Sequence, residues 1–454
     1  MSLANPVRHP DLRSSPLMTR RAWWLVGLGI LIPGSPQLLA GSRRLGRFAV
    51  SATFVLWGLL VLALLGWFVA RGPLLSVFGT AGGLMVVGAL LAFYAVLWVM
   101  LAIDTFRLLH IPRIDRTARA FVGALSVVSL VVAGGAGYGA YLAISAGGFI
   151  SDVFITAPAK DPVDGRYNIM LLGGDAGEDR EGLRPDSISV VSIDVDSGEA
   201  TIIGLPRELK YVPFVDGSPK QAEYPDGYGV PYGCNVGVCY LNSVYTEADI
   251  YDDDLYPDAA AQGSSAGVEA TRDAVEGVTG LEIQYYVLLE MGAFESVIDS
   301  LGGVEIDVQS RVPIGGHIDD YGQLVDVGAW IEPGVQRLDG NWALWYARSR
   351  YGSSDYDRME RQKQLQSAVL AQFTPATLLS RFQSIASAGA ELVETDVPQS
   401  ALGYFVNLGS KTRDLPIQTL ELIPDTGVNP EDPDYPYIRQ MIADRLSPAP
   451  AEGQ

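Results

Sequence analysis

Histidine and cysteine are scarce in this sequence, and lysine is missing from its first part. The 454 residues include three histidines and two cysteines. These numbers leave little room for a His-rich metal site, and two cysteines alone make a weak zinc site because zinc needs four ligands. Only His317 lies beyond residue 110. The larger part of the chain therefore has little room for His-based catalysis.

Charge is distributed unevenly along the chain, whose length suggests two or three structural units. Residues 1–150 contain twelve arginines, no lysine and three acidic residues, for a formal net charge of +9. Residues 151–454 contain 20 basic and 49 acidic residues, for a net charge of −29. Nucleic-acid binding needs a basic face that neutralises phosphates. The second part is thus unsuited to it, and no nucleic-acid partner is expected.

The first part contains three long runs without a charged residue: Phe48–Ala70, Leu74–Ile103 and Ala120–Ser151. About 20 apolar residues suffice for a transmembrane helix, and a buried core helix is not this apolar three times in succession. A cleaved signal peptide has a single apolar run, so the repetition excludes that interpretation. We predict transmembrane helices at about 48–70, 78–103 and 120–146 within a membrane region spanning residues 22–151, so the chain has the lipid bilayer as a partner.

A fourth apolar stretch, 22–42, is shorter and contains Pro33 and Pro36, which remove helix hydrogen bonds. Arginines flank it on both sides, so the positive-inside rule places both ends, and residues 1–21, in the cytoplasm. We interpret it as a re-entrant segment; the alternative is a true span that places the N-terminus outside. The basic loop 107–119 is also predicted to be cytoplasmic, so the third helix leads outward. The chain is thus predicted to be a multi-pass protein of a bacterial cell membrane with residues 152–454 extracytoplasmic.

The second part has the pattern of an α/β domain. After a linker, 152–165, strands are predicted at Arg166–Leu172, Ser187–Val195 and Ala200–Leu205, followed by alternating helices and strands. We assign the domain to residues 166–446, with an insertion rich in Tyr, Pro, Gly and Asp at 211–262 and a disordered tail at 447–454.

Two features of this domain have alternative interpretations. Cys234 and Cys239 lie in the insertion, and outside the membrane such a pair favours a disulfide, with free thiols as the alternative. Gly263–Gly267 matches the G-x-S-x-G pattern of hydrolases. Because no strand precedes it, a serine-rich helix start is the preferred interpretation.

A cluster of basic residues stands out in so acidic a domain and indicates an anion site. Its members are Arg348, Arg350, Arg358, Arg361 and Lys363. On a helix, Arg358, Arg361 and Gln362 share one face with core-type residues, so the buried arginines need an anionic partner. Asp355 and Asp357 at the helix start could supply it, which would make the cluster purely structural. The alternative is a bound ligand.

Residues at three strand ends favour the ligand. Asp175 ends the first predicted strand, Asp186 begins the second, and Arg207 follows the third. Carboxylates at strand ends are suited to Mg²⁺ bound together with phosphate, and arginine recognises phosphate through two parallel hydrogen bonds. The combination predicts a pyrophosphate site.

These residues fall in a seven-part order that resembles the LytR-CpsA-Psr family of bacterial cell-wall enzymes over roughly residues 165–375. The motifs are Asn168–Asp175, Arg184–Ser187, Leu205–Glu208, Leu301–Val304, Leu338–Gly340, Tyr346–Arg350 and Asp355–Gln362. Three positions depart from the family pattern: Glu208 stands in place of Asp, Tyr211 in place of an arginine found in some members, and Tyr240 in place of a lysine. The membrane region is also larger than the single helix common in the family.

The resemblance implies an α/β/α sandwich with a central mixed sheet and a hydrophobic cleft for a polyprenyl tail. It also implies an Mg²⁺-dependent phosphotransferase that moves an anionic glycan from an undecaprenyl-pyrophosphate carrier to peptidoglycan. By the family's motifs, Asp175 and Asp186 organise the metal and Asp355 orients the arginines, with Arg207, Asp355 and Arg358 as the catalytic set. The pyrophosphate would be bound by Arg184, Arg207, Arg348, Arg350, Arg358 and Gln362. No base is identifiable, and a pyrophosphate hydrolase or a non-catalytic polyprenyl-lipid receptor with the same pocket are the alternatives.

Overall fold

The computed structural model describes residues 7–11, 13–69, 74, 78–175, 183–319, 321–349, 355–372, 393–413 and 415–447. The chain divides into two compact units, Met1–Gly148 and Phe149–Gln454.

The first unit is helical. Its helices are α1 (Ser15–Leu31), α2 (Ser35–Ala40), α3 (Arg43–Val69) and α4 (Ala81–Leu109), followed by α5 (Arg116–Val153). Among the described residues, α3, α4 and α5 are long and apolar enough to cross a membrane. They overlap the three charge-free runs from which spanning helices are predicted.

The stretch 22–42 is interrupted between α1 and α2. Gly34 has φ +98°, a left-handed conformation that favours glycine, and a Cβ there would lie 2.5 Å from the Cβ of Ala49 on α3. Pro36 lies in the first turn of α2, where its missing N–H breaks no helix hydrogen bond. The break therefore has local steric causes. Whether the stretch crosses the membrane stays a prediction.

The second unit contains ten described strands. In chain order they are β1 (Arg166–Asp175), β2 (Arg184–Asp194), β3 (Ala200–Leu205), β4 (Tyr285–Glu290), β5 (Val304–Val308), β6 (Val312–Ile318), β7 (Leu324–Ile331), β8 (Gly334–Leu338), β9 (Val393–Thr395) and β10 (Gln418–Glu421). Its described helices are α6 (Pro219–Glu223), α7 (Leu241–Tyr251), α8 (Ala266–Thr279), α9 (Met291–Leu301), α10 (Gly340–Arg348), α11 (Asp355–Gln372), α12 (Leu402–Thr412) and α13 (Tyr435–Leu446).

Six of the strands form one mixed sheet in the order β10-β3-β2-β1-β4-β9. β2 runs antiparallel to β1 and β3, whereas β4 is parallel to β1 and β10 is parallel to β3. The carboxyl ends of β1, β3, β4 and β10 therefore meet the amino end of β2 at a single edge of the sheet. Residues far apart in sequence are brought together at this edge.

Helices cover both faces of the sheet. On one face Met170, Val190 and Ile203 belong to a buried cluster with residues of α7, α8 and α13, and on the other Tyr167 and Tyr285 pack with residues of the segment around α12. The side chains of β1 alternate between these clusters, as the period of two in a strand requires. The predicted fold class, an α/β/α sandwich with a central mixed sheet, is confirmed.

The segment predicted as an insertion, 211–262, contributes to this core. Leu241 and Val244 of α7 are fully buried in the cluster on the first sheet face. The sequence analysis placed no helix here because the flanking Gly-, Pro- and Tyr-rich loops conceal the short apolar repeat of α7. The segment 211–262 thus carries α6 and α7 and contributes to the core of the domain, and its status as an insertion stays a prediction.

Strands β6, β7 and β8 lie in a part of the sequence where no strand range is predicted above. β6 and β7 pair as a hairpin whose register shifts between Ile314 and Gly315. Gly315 and Gly316 both have positive φ, and such a bulge disrupts the alternating pattern that identifies a strand. Around them, β5, β8, α9, α10 and α11 share a separate buried cluster.

Candidate functional site

The predicted site residues that the structure brings together lie at the sheet edge where β2 begins and β3 ends. Asp186 is the third residue of β2, and Arg207 follows β3 by two residues. The Arg207 guanidinium donates from Nη1 to Asp186 Oδ1 at 2.6 Å and from Nη2 to Glu208 Oε1 at 2.9 Å. Both prongs of the fork are used, and the side chain is 16% exposed. The edge thus holds a fixed, partly buried cation between two carboxylates.

Helix α11 supplies the facing wall. Arg358, Gln362 and Met359 line one cleft together with Asp186, Arg207 and residues of β3. Arg358 is only 2% exposed, and Leu365 on the same helix face is equally buried. The predicted orientation of α11, with Arg358, Arg361 and Leu365 on its core-facing side, is therefore correct. The cleft lies between the sheet and this helix.

Arg361 is also buried on α11, but its guanidinium binds backbone carbonyl groups. Its guanidinium donates from Nε to the carbonyl of Tyr346 at 2.8 Å and from Nη2 to the carbonyl of Ser349. Burial lowers the pKa of Arg361. Gln362 Nε2 also donates to the carbonyl of Ala347, at 3.2 Å. These bonds fasten the end of α10 to the start of α11 and position the wall that carries Arg358.

Other predicted residues lie at or beyond the rim. Arg184 begins β2 and is paired in register with Asp175. Arg348 is exposed at the end of α10, with its guanidinium 4.8 Å from the centre of the Trp345 ring. It is not among the residues that line the cleft.

Three predicted residues are described only in part or not at all. Arg350 lies outside the described residues. Asp175 ends β1 and Asp355 begins α11, but the side chains of both lie outside the described part of the structure. Their backbone positions put them at the same sheet edge and at the start of the same helix as the cleft residues. Their roles stay predictions.

The interior of the cleft contains polar residues that the motifs do not include. Ser189 of β2 is buried and accepts a weak hydrogen bond from Gln366 of α11, at 3.4 Å. Glu421, the last residue of β10, lines the same cleft. Burial raises the pKa of Glu421 to about 7; the Lys363 ammonium opposes this shift and the Glu360 carboxylate adds to it.

Sequence reasoning missed Glu421 because little in the sequence identifies it. β10 has four residues and begins 56 residues after the end of the last motif. Only the parallel pairing of β10 with β3, which the sequence did not predict, brings Glu421 to the site.

The first turn of α7 borders the site through its backbone. The amides of Asn242 and Leu241 donate to the carbonyls of Arg207 and Leu209, at 3.1 and 3.0 Å. In the loop before α7, Cys234 and Cys239 are joined by a disulfide, with Cα atoms 5.7 Å apart. The G-x-S-x-G segment is a helix start: Ser265 caps α8 by accepting from the amide of Val268 at 3.3 Å. In the described residues between β3 and α8 no strand leads into this segment, so it does not have the strand–turn–helix form of a hydrolase elbow.

The sequence was compared with models of protein families and with known proteins. The model of the LytR_cpsA_psr family matches residues 153–432, more than half of the chain. The polyisoprenyl-teichoic acid–peptidoglycan teichoic acid transferase TagV of Bacillus subtilis is 29% identical over 136 residues, 30% of this chain and 34% of TagV. Biofilm regulatory protein A of Streptococcus mutans is 24% identical over 263 residues, 55% of this chain and 56% of that protein. These matches span between about a third and somewhat over half of the relatives' lengths.

A solved structure also matches. The crystal structure of Bacillus subtilis TagV aligns with 63% of this chain and 100% of that chain at a TM-score of 0.43 and 21% sequence identity.

Proposed function

The chain belongs to the LytR-CpsA-Psr family, and from this premise we propose that it transfers an anionic glycan phosphate from an undecaprenyl-pyrophosphate-linked donor to peptidoglycan. The observation that carries the proposal is the cleft in which Arg207, Arg358 and Asp186 converge from three separate segments. The name of the relative TagV, a teichoic acid transferase acting on peptidoglycan, supports the choice of acceptor.

The pyrophosphate of the donor would lie at the sheet edge, between Arg207 and Arg358. Guanidinium groups bind phosphate oxygens through paired hydrogen bonds, and their attraction for anions is stronger in a partly buried cleft than in water. Gln362 adds an amide on the same wall. Arg184, Arg348 and Arg350 would complete the set from the rim.

In the proposed reaction a peptidoglycan hydroxyl attacks the phosphorus nearer the glycan. A new O–P bond forms, the bond from that phosphorus to the bridging oxygen breaks, and polyprenyl phosphate leaves with the electron pair of the broken bond. The proton of the hydroxyl is released to solvent. Charge accumulates on the phosphoryl oxygens and on the leaving group, where Arg207 and Arg358 stabilise it.

Asp186 and Asp175 would hold Mg²⁺ in this site. Mg²⁺ favours carboxylate oxygens combined with substrate phosphates. The Asp186 carboxylate at the cleft rim is such a donor, and the β1–β2 pairing puts Asp175 on the adjacent strand. When bound, the ion would neutralise charge on the pyrophosphate. Arg207 holds Asp186 in place through the 2.6 Å bond.

The proposed donor requires the site to be at the outer face of the membrane. The three apolar helices support a membrane anchor, and the arginines of 107–119 support a cytoplasmic loop before the last of them.

A reporter fused at Ala4 is expected to read as cytoplasmic and one fused after Leu446 as external, because 22–42 is predicted not to cross. Enzymatic reporters active on only one side of the membrane measure this. An external reading at both positions would show that 22–42 spans the membrane.

Transfer itself is tested with a synthetic lipid-pyrophosphate glycan, supplied with and without peptidoglycan oligomers. We expect glycan to become attached to the oligomers and polyprenyl phosphate to be released only when both are present. Release without an acceptor would identify a hydrolase, and binding without release in either case would identify a receptor. Either outcome contradicts the proposal.

A further inference from the structure

Glu421 lies in the cleft, but the proposed reaction gives it no role. β10 pairs with β3 so that Glu421 lies beside Gly204, and β2 pairs with β3 so that Ser189 flanks Gly204 on the other side. All three residues line the cleft. A Cβ on Gly204 would lie 2.0 Å from Glu421 Oε2. The carboxyl therefore lies directly over the Gly204 backbone, in space that only glycine leaves open.

The charged groups around Glu421 come from three elements. Helix α11 contributes Arg358, Lys363 and Glu360, and the sheet edge contributes Asp186 and Arg207. Lys363 forms its ion pair with Glu360 at 2.9 Å, and Asp186 forms one with Arg207 at 2.6 Å. Within the described residues, no hydrogen bond or ion pair to the Glu421 carboxyl is found. In the described part of the domain, the Glu421 carboxyl is thus acted on by the Lys363 ammonium without a direct ion pair.

The Glu421 carboxyl can change its protonation state near neutral pH. Burial raises the pKa of Glu421 to about 7, so the acid and the carboxylate have similar populations at neutral pH. A phosphate anion in the same cleft would repel the carboxylate and favour the acid. In the acid form the group becomes a hydrogen-bond donor, which a phosphate oxygen can accept.

We infer that Glu421 is a further ligand-binding residue, which takes up one proton when a phosphate-bearing ligand enters the cleft and donates a hydrogen bond to it. The inference rests on the proposed function, because it assumes that the cleft binds a pyrophosphate group. The protonated Glu421 carboxyl would be a neutral hydrogen-bond donor beside the arginines. Its ionisation would make the affinity for the phosphate-bearing ligand dependent on pH. As pH rises, the carboxyl loses its proton more readily in the free protein than in the complex, so binding weakens.

The test measures binding of inorganic pyrophosphate to the full chain in detergent between pH 6 and 8. Glu421→Gln keeps the shape and a donor group but cannot ionise. The ratio of the wild-type Kd to the Glu421→Gln Kd cancels the ionisation of pyrophosphate itself. Linkage to one group of pKa about 7 predicts that this ratio rises about tenfold over the range. Calorimetry in two buffers of different ionisation enthalpy should show proton uptake by the wild type beyond that of the variant.

Two further variants make the test specific. Asp425→Asn removes an exposed carboxyl four residues along the chain, outside the cleft, and should keep the wild-type pH profile. Gly204→Ala should displace the Glu421 carboxyl, since the clashing atom is the end of a flexible side chain, and should weaken the pH dependence while the chain stays folded.

The outcomes separate this inference from the proposed function. If wild-type protein binds pyrophosphate and the Kd ratio stays constant with pH, Glu421 is not the coupled group and only this inference fails. The same holds if Glu421→Gln loses more than tenfold in affinity at pH 6, because a neutral donor would then fail to replace a carboxyl that is mostly protonated at this pH. If wild-type protein does not bind pyrophosphate at any pH, the proposed function fails together with it.

Discussion

Replacing Arg207 by lysine is expected to lower the rate of glycan transfer about a hundredfold while the protein stays folded. Arg207 uses both prongs of its guanidinium, toward Asp186 and toward Glu208. Lysine keeps the charge but has no planar fork, so it cannot span both carboxylates and face a phosphate in the same orientation. Losing one preorganised charge contact in a transition state raises the barrier by about 3 kcal/mol. Transfer assays on the full chain measure this loss.

Arg358→Lys should reduce transfer to a similar extent, because the guanidinium lines the same cleft from α11 and is 2% exposed. Arg311→Lys is the matched control. Arg311 is half-exposed on the β6–β7 hairpin, where it pairs with Glu332 and lies over Trp330, and its replacement should leave transfer unchanged.

Thermal melts recorded beside the assays separate the ligand site from the structural alternative. If the arginines served only to neutralise Asp355 and Asp357, folded variants would keep their activity. Arg207→Lys and Arg358→Lys proteins that melt like the wild type and work within a few-fold of its rate would therefore contradict the proposed site.

Sequence reasoning could predict those site residues whose positions follow from the end of a strand or from the spacing along a helix. Asp186 and Arg207 flank strands whose apolar runs are evident, so their meeting at one edge follows from the sheet. The burial of Arg358 follows from its spacing to Leu365 on α11. In each case local periodicity carries the information.

The part that could not be predicted depends on tertiary pairing. Glu421 reaches the cleft only because β10 adds to the sheet beside β3, a contact between residues more than 200 positions apart. The basic cluster also divides in a way that spacing cannot reveal. Arg361 and Arg358 share one helix face, yet Arg361 binds the carbonyls of Tyr346 and Ser349, whereas Arg358 lines the cleft.

The segment 211–262 illustrates a different limit, because its acidic residues gave no sign of a buried partner. Lys220 of α6 is fully buried, and its Nζ lies 2.7 Å from Glu223 Oε2, 2.6 Å from Asp252 Oδ2 and 4.0 Å from Glu247 Oε2. Glu247 is fully buried as well and accepts hydrogen bonds from the Tyr224 hydroxyl and the Asn235 amide. The lysine thus joins α6 to α7 and to Asp252 after it, and Glu247 joins α7 to the loop that carries the disulfide.

Lys220→Met is therefore expected to lower the free energy of unfolding by about 3–5 kcal/mol, the usual effect of leaving buried charge uncompensated. Methionine fills the volume of the lysine stem, so the loss reports on charge and not on a cavity. Denaturant melts of the full chain measure it. Adding Glu247→Gln to Lys220→Met should recover part of the loss, since it removes the most buried of the three carboxylates. Lys210→Met, which breaks the surface pair with Glu431, should change stability little. A Lys220→Met protein as stable as the wild type would mean that water, and not the lysine, balances these carboxylates.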